Sequence, residues 1–135
     1  SNTAQPYTVF TKKPIPKGKI TTYSFQLGPQ THYVMVGLAP HSALSNAICY
    51  HDNRIIGYGK EGAIYPNNSI VKVRVRPLRA NDKVTVTADL IKGKITFHIN
   101  GQEAYTGVIK DLESYDWYPF VYMNLTVGLQ VSFTK

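Results

Sequence analysis

Apolar and polar side chains alternate with a period of two along much of the chain, which is the pattern of a β-strand with one buried face. The alternation predicts strands over residues 19–27, 71–76, 83–90, 94–100, 118–124 and 127–134. Residues 32–39 are apolar almost throughout, so we expect a central strand covered on both faces. Helical spacing is confined to Ile109, Leu112 and Tyr115, too short for more than a turn or two.

The same period predicts which side chains face the core. The inward positions are Tyr23, Phe25 and Leu27 in the first of these strands, then Val84, Val86, Ala88, Leu90, Ile95, Phe97 and Ile99 in residues 83–90 and 94–100, and Val127, Leu129, Val131 and Phe133 in the last. In residues 71–76 the three valines are expected on one face and three cations on the other.

Short turns separate the predicted strands. Residues 91–94 are a glycine-containing connection of hairpin length, and Asn100-Gly101 is a second tight turn into residues 102–105. About ten short strands of this kind predict an all-β fold, a single-domain antiparallel two-sheet β-sandwich or barrel. We expect one domain over residues 1–135, a piece of a larger protein, with residues 1–17 as an N-terminal extension or first edge strand.

Composition is typical of a folded domain, with 43% hydrophobic and 17% charged residues. The longest apolar runs are far shorter than the ~20 residues of a membrane-spanning helix, so no membrane span is expected. The only cysteine, Cys49, excludes an internal disulfide and favours an intracellular protein, cytoplasmic rather than nuclear. Two glycosylation tripeptides, Asn67-Asn68-Ser69 and Asn124-Leu125-Thr126, point weakly the other way.

The order of five segments resembles a known family. They are Tyr50-His51-Asp52, the glycine-rich residues 57–62, Asn81-Asp82-Lys83-Val84, the hairpin of residues 92–102, and Trp117-Tyr118-Pro119-Phe120-Val121. Together they are similar to the SPRY domain family over residues 18–134. The chain departs from the family pattern at Asn81-Asp82 for Gly-Asp, at Asp89-Leu90-Ile91 for Asp-Leu-Asp, and at Trp117 before Tyr-Pro. The resemblance implies a bent sandwich of two antiparallel sheets, with loops at one edge that bind peptides or protein surfaces without catalysis.

The chain contains no recognisable catalytic motif. The four histidines, His32, His41, His51 and His98, have neither the spacing of a helical metal site nor a cysteine-rich neighbourhood. Cys49 and His51 could meet as nucleophile and base, but a core thiol beside a hydrogen-bonded imidazole is the simpler interpretation. We therefore expect no catalytic residue, no metal and no cofactor. The expected partner is another protein or peptide, and the isolated domain is expected to be a monomer.

Five consecutive hydrogen-bonding side chains form the first candidate binding site, Tyr50, His51, Asp52, Asn53 and Arg54. The alternative is a polar turn in which Asp52 and Asn53 bond their own backbone. The resemblance adds the loop of residues 40–46, including His41 and Ser42, and the connection Asn124-Leu125-Thr126 between the last two strands. Leu125 is either an exposed apolar anchor or a plug. We expect the two regions to line one partner surface.

The net charge of +7, from 15 basic and 8 acidic residues, would attract an anionic partner such as an acidic peptide. Lys72, Arg74 and Arg76 are the candidate anion contacts, and their alternative role is a solvated strand face that deters edge pairing. No aromatic side chains are interleaved with these cations to stack bases, so nucleic acid is the less favoured partner.

A galectin-like lectin is the alternative from another functional class, because galectins share this type of sandwich and use a His-X-Asn-X-Arg motif. Here His51-Asp52-Asn53-Arg54 is one residue short of that motif. Where a lectin would place a tryptophan against the sugar, one strand after the arginine, this chain has Tyr58 and Gly59.

Overall fold

A computed structural model describes residues 6–44, 53–65, 67, 73–127 and 130–132. These residues form eleven strands and one short helix, α1. The strands are β1 (Pro6–Phe10), β2 (Ile20–Gln26), β3 (Gln30–Pro40), β4 (Ile56–Gly59), β5 (Ala63–Tyr65), β6 (Val73–Arg74), β7 (Lys83–Asp89), β8 (Lys94–Ile99), β9 (Gln102–Val108), β10 (Trp117–Val127) and β11 (Gln130–Ser132). The helix spans His41–Leu44.

The strands form two antiparallel sheets, as the sequence predicts. Sheet A has six strands in the order β1-β10-β3-β4-β5-β6, and sheet B has five in the order β11-β2-β7-β8-β9. β1 is therefore the edge strand of sheet A, where it pairs with β10 from Pro6 opposite Asn124 to Phe10 opposite Phe120.

The main core lies between the two sheets and contains the side chains that the alternation assigns to it in residues 19–27, 83–90 and 94–100. The side chains of Val127, Leu129, Val131 and Phe133, expected inward in the last strand, lie outside the described part. β7 and β8 alternate strictly between buried and more exposed positions. Tyr23, Phe25 and Leu27 are also buried there, together with Trp117. Period-two alternation predicts these positions because each strand of a two-layer sandwich buries one face only.

β3 is covered on both faces, as predicted. Val34, Val36 and Leu38 belong to the core between the sheets. Met35 and Ala39 point to the opposite face, where a second apolar cluster includes Phe120 of β10 and Ile55. Residues 34–40 of the strand are apolar because neither face meets solvent there.

One hydrogen bond links the two layers, and two positive φ angles shape the turn between β8 and β9. The hydroxyl of Tyr23 in sheet B donates a hydrogen bond to the carbonyl of Gly37 in sheet A (3.0 Å), through the core. The turn between β8 and β9 has positive φ at Asn100 (51°) and Gly101 (86°), the conformation of a two-residue hairpin turn.

The outer face of sheet B carries a row of threonines. Thr22, Thr87, Thr96 and Thr106 lie directly opposite one another on β2, β7, β8 and β9. The Oγ1 atoms are 3.4 Å apart in the pair Thr22–Thr87 and 3.1 Å apart in the pair Thr96–Thr106. This face is polar and uncharged along the row.

The prediction of one strand over residues 71–76 is wrong for its second half. β6 contains only Val73 and Arg74, and Val73 is 38% exposed instead of inward. Val75, by contrast, packs against the core. The chain leaves the sheet here because Arg76 turns to an ion pair with Asp82 and the next residue, Pro77, has no N–H to donate to a ladder. Residues 71 and 72 lie outside the described part.

Two other predictions at strand ends are also wrong. Asn124-Leu125-Thr126 is not a connection, because β10 continues to Val127 and its backbone pairs with β3. Residues 41–44 of the predicted loop form α1, because Ala43 and Leu44 are buried in the second apolar cluster. Val127, expected in the final strand, belongs to β10, and β11 is described over Gln130–Ser132.

Candidate partner-binding site

The structure separates the two regions that we expected to form one surface. Trp117 pairs with Pro40 at the start of β10, whereas Asn124 pairs with Tyr33 seven residues further along. At ~3.3 Å per residue, this places the two ends about 23 Å apart. His41 follows Pro40 directly, so it lies at one end of sheet A, and Asn124-Leu125-Thr126 lies at the other. The structure therefore does not bring these two groups of described residues together, and Tyr50 and His51, which the expected surface included, lie outside the described part.

Of the first candidate segment, Asn53 and Arg54 lie within the described residues, whereas Tyr50, His51 and Asp52 lie outside them. Arg54 precedes β4, whose Ile56 pairs with Leu38 near the end of β3. Arg54 therefore lies at the same end as His41 and Ser42. The structure thus brings together the residues 53–54 and 41–42 that the sequence proposed for binding.

Arg54 is held by two contacts. Its Nη1 donates a hydrogen bond to Oγ of Ser42 (2.6 Å), and its guanidinium carbon lies 5.7 Å from the ring centroid of Tyr115, within cation–π range. Tyr115 packs edge-on against the buried ring of Trp117, with centroids 5.8 Å apart. The guanidinium is therefore held against a ring that the core supports.

Three rings meet at the same end of sheet A as this arginine. His41 lies 5.1 Å from Phe10 and 5.5 Å from Tyr118, and Phe10 lies 6.5 Å from Tyr118, all with edge-to-face geometry. Phe10 and Tyr118 are half-buried, and His41 is exposed. We call Phe10, His41, Ser42, Arg54, Tyr115 and Tyr118 the rim. The sequence argument missed Phe10 and Tyr115 and treated Tyr118 only as part of the scaffold.

The rim lies on a packed support. Ala43 and Leu44 of α1 are buried in the second apolar cluster with Ile55, the residue that follows Arg54. Both polar segments are therefore anchored by apolar neighbours one or two residues away. Such anchoring reduces the conformational entropy that a binding surface loses when it meets its partner.

The two described candidate anion contacts, Arg74 and Arg76, have different surroundings. Arg74 is exposed on β6, and Lys72 lies outside the described residues. Arg76 is paired with Asp82, from Nη1 to Oδ2 (2.8 Å) and from Nη2 to Oδ1 (3.4 Å). Burial acts to raise the pKa of Asp82, but hydrogen bonds from Arg76, the Arg79 amide and Asn100 outweigh it, and the net shift is downward. The charge of Arg76 is neutralised within the protein.

The position that a lectin would use for stacking on sugar is internal here. Tyr58 is buried, and its hydroxyl donates to the carbonyl of Arg76. Burial raises the pKa of Tyr58 to about 12. A ring enclosed in this way presents no face to a carbohydrate, and the neighbouring Gly59 has no side chain.

No protein-family model and no curated protein sequence matches the chain. Solved structures do match. The SPRY domain of human HERC1 is 13% identical, with a TM-score of 0.67 over 98% of this chain and 82% of that one. Another human SPRY domain is 15% identical, with a TM-score of 0.72 over 98% of this chain and 86% of that one. The chain has a SPRY-type fold. At these identities the likeness concerns the fold.

Three of the segments that carry the resemblance have clear places in this SPRY-type fold. The hairpin of residues 92–102 includes all of β8, and Trp117-Tyr118-Pro119-Phe120-Val121 opens β10. Asp82, from the Asn81-Asp82 pair, receives the hydrogen bonds of Arg76 and Asn100. These positions support the sandwich, whereas the rim residues Phe10 and Tyr115 lie outside all five segments.

Asn67 has a structural place in this SPRY-type domain. Its side chain is buried, its Nδ2 donates to the carbonyl of Lys110 (2.6 Å), and its Oδ1 accepts from the Lys110 amide (3.1 Å). The side-chain amide of Asn67, the acceptor residue of the first glycosylation tripeptide, is thus engaged in hydrogen bonds with the backbone of Lys110 in the folded chain. Asn124, in the second, lies in β10 between β1 and β3.

Across residues 6–44, 53–65, 67, 73–127 and 130–132, no three His, Cys, Asp or Glu side chains lie close enough together to hold a metal ion. In the same residues, no helix has the length and apolarity to span a membrane.

Proposed function

We propose that this SPRY-type domain is a non-catalytic protein interaction module that binds a peptide or protein surface with the rim. The observation that carries the proposal is the placement of Arg54 between Ser42 and Tyr115, next to the three rings of Phe10, His41 and Tyr118. Arginine and tyrosine are enriched among the residues that dominate binding energy at protein interfaces.

The partner surface proposed for the rim combines apolar and acidic groups. The edges and exposed faces of Phe10 and Tyr118 can pack against apolar side chains, and the guanidinium of Arg54 can donate hydrogen bonds to a carboxylate of the partner. The net charge of +7 adds a long-range attraction for such a partner. Tyr50, His51 and Asp52 remain candidate contacts because the chain leads directly from them to Asn53.

Asn124, Leu125 and Thr126 stay as a separate candidate at the opposite end of β10. We propose further that the domain acts as a monomer in an intracellular, mainly cytoplasmic setting. The single cysteine, Cys49, supports the intracellular part of this proposal. Neither the lectin nor the nucleic-acid alternative gains a specific supporting contact among the described residues.

The test uses Arg54→Ala and Tyr118→Ala as rim variants and Arg74→Ala as the matched control, because Arg74 is an exposed arginine outside the rim. Each protein is used as bait, captured proteins are quantified by mass spectrometry, and the strongest partner is titrated by calorimetry. We expect each rim variant to weaken the partner by ~1 to 3 kcal/mol and Arg74→Ala to leave it unchanged. Rim variants that melt like the parent and retain every partner would remove the rim from the binding surface.

Nucleic acid is tested in parallel by gel shift with random oligonucleotides. We expect only weak binding because Arg76 is engaged by Asp82 and contributes no available charge. Tight, salt-sensitive binding that is lost in the Arg74→Ala variant would favour the nucleic-acid alternative over the protein partner.

A further inference from the structure

An apolar groove of about 550 Å³ lies where the segment between β1 and β2 crosses the open side of the sandwich. Its walls include Pro14, Ile15, Pro16 and Pro119, and the buried ring of Tyr23 lies at its base. A volume of this size is within the range of about 300–1,000 Å³ that is typical of ligand pockets.

Backbone hydrogen bonds fix the walls of the groove. The Ile15 amide donates to the carbonyl of Trp117 (2.9 Å), and the Thr11 amide donates to the carbonyl of Pro119 (3.4 Å). On the other side, the Leu90 amide donates to the carbonyl of Lys19 (3.0 Å). Because the segment is bonded at both ends, the groove is preformed and an occupant would not have to order it.

The lining of the groove is positively charged. Lys13 and Lys19 both line it, and no acidic side chain is among the described residues that do so. Lys17, by contrast, lies 3.8 Å from a carboxylate oxygen of Asp116 and donates to the carbonyl of Glu113 (3.5 Å). Asp116 is thus engaged with Lys17, and the two lysines of the groove favour an anionic occupant.

Ile20 extends the apolar lining to the surface. It is 58% exposed although it opens strand β2, and it lines the groove together with Thr21. Another exposed isoleucine, Ile91, is 63% exposed in the turn between β7 and β8 and does not line the groove. Isolated exposed apolar side chains are common, but one that adjoins an apolar cavity enlarges a continuous binding surface.

We propose that this groove is a second docking site, which takes a short peptide carrying a large apolar side chain flanked by acidic residues. The apolar side chain packs between Ile15 and Ile20, and the carboxylates lie against Lys13 and Lys19. Prolines suit such a site because Pro14 and Pro16 lack N–H groups that an apolar occupant would leave unpaired.

The groove is distinct from the rim, and the proposal does not rest on the function proposed for the rim. Along β10, Tyr118 faces the rings of the rim, and the next residue, Pro119, faces the groove. Phe10 and Tyr118 of the rim therefore lie on the face of β10 opposite to Pro119. Substitutions at Arg54 leave the groove intact, and substitutions at Lys13 or Ile20 leave the rim intact, so the two proposals fail separately.

The test selects peptides from a random phage-displayed library on the whole 135-residue protein. We expect the enriched peptides to place a large apolar residue next to Asp or Glu. A synthetic version is then titrated against the parent and two variants. Lys13→Glu with Lys19→Glu should weaken it at least ~10-fold, and Ile20→Ala should weaken it ~5-fold through lost apolar contact. Added salt should weaken binding to the parent.

Two matched controls make the result specific. Lys83→Glu with Lys110→Glu changes the net charge equally on exposed lysines elsewhere, and Ile91→Ala truncates the other exposed isoleucine. Both controls should bind like the parent. Enriched peptides without acids, equal losses in the controls, or no enrichment at all would each overturn the proposal. Binding of anionic lipid vesicles that Lys13→Glu with Lys19→Glu abolishes, without peptide enrichment, would assign the groove to a membrane surface and overturn it as well.

Discussion

Arg76 and Asp82 form a bidentate ion pair, in which Nη1 lies 2.8 Å from Oδ2 and Nη2 lies 3.4 Å from Oδ1. Asp82 is only 5% exposed, and it also accepts hydrogen bonds from the Arg79 amide (2.7 Å) and from Nδ2 of Asn100 (2.9 Å). One carboxylate thus joins the segment after β6 to the start of β7 and to the β8–β9 turn.

Replacing Asp82 should be costly. Asp82→Ala would leave three donors without their acceptor, so we expect the free energy of unfolding to fall by about 3 kcal/mol. Urea unfolding followed by the fluorescence of Trp117, the only tryptophan, measures it. Asp116→Ala is the control, because Asp116 is 64% exposed and its ion pair with Lys17 is long, at 3.8 Å. This substitution should lower the free energy of unfolding by less than about 1 kcal/mol. Equal losses in the two variants would contradict the role given to Asp82.

The same carboxylate should make stability depend on acid. Because the pKa of Asp82 is lowered in the folded state, its contribution is complete above the ordinary aspartate pKa of about 4 and is lost as the pH falls through the lowered value. The stability difference between the parent and Asp82→Asn should therefore be constant near neutral pH and shrink below about pH 4. A difference that stays constant down to acid unfolding would show that the charge of Asp82 is not what stabilises the fold.

Alkali should destabilise the domain through buried phenols. Burial raises the pKa of Tyr58 to about 12 and also raises the pKa values of Tyr23 and Tyr33. The unfolded chain ionises its tyrosines near pH 10, so this stabilisation is complete below about pH 10 and is lost as the pH rises toward 12. Tyr58→Phe should cost about 1 kcal/mol at neutral pH, through the lost bond to the Arg76 carbonyl, and should make the alkaline decline shallower. Urea midpoints across this pH range, with tyrosinate absorbance, test it, and an unchanged slope would contradict it.

Gly37 should tolerate no side chain. A Cβ there would lie 1.8 Å from the carbonyl oxygen of Ile56, inside sheet A, and backbone on both strands prevents relief. Gly37→Ala should therefore lose at least ~3 kcal/mol or fail to fold. Gly101→Ala is the control: its φ of +86° strains any side chain, but nothing lies within 4 Å, so we expect a loss of about 1 kcal/mol. A Gly37→Ala protein as stable as Gly101→Ala would contradict the close approach of β3 and β4.

The strand interiors were predictable and the strand ends were not. Alternation finds β7 and β8 because a strand buried on one face imposes its period on the sequence. It does not find where β10 ends, because Asn124 and Thr126 are compatible with a turn. Pairing with β1 reaches Asn124, and pairing with β3 extends the strand to Val127. Those partners lie roughly a hundred residues away in sequence, where local patterns carry no information.

The candidate site was half predictable for the same reason. The sequence proposed Arg54 because polar side chains cluster locally there, and the resemblance to the SPRY family added His41 and Ser42. The aromatic members were missed because Phe10 meets Tyr118 only through the pairing of β1 with β10. The prediction for Arg76 failed in a different way. As a cation in an alternating segment, Arg76 was expected to face solvent, but it forms an ion pair with Asp82. This pairing cannot be recognised from the alternation, because it depends on the chain leaving the sheet after Arg74.

The hydrogen bond from Tyr23 to the Gly37 carbonyl has a consequence for both proposed binding surfaces. Apolar contact between two sheets is non-directional, so it resists separation of the layers far more than a small slide of one layer over the other. A hydrogen bond inside the core has a favoured length and angle, and sliding of the sheets would leave its buried donor and acceptor unpaired. The hydrogen bond of Tyr23 therefore fixes the position of one sheet relative to the other. It keeps the lysine-lined wall of the groove at β2 and the aromatic residues at the start of β10 in a constant relative position. A partner therefore meets a single arrangement of the two surfaces.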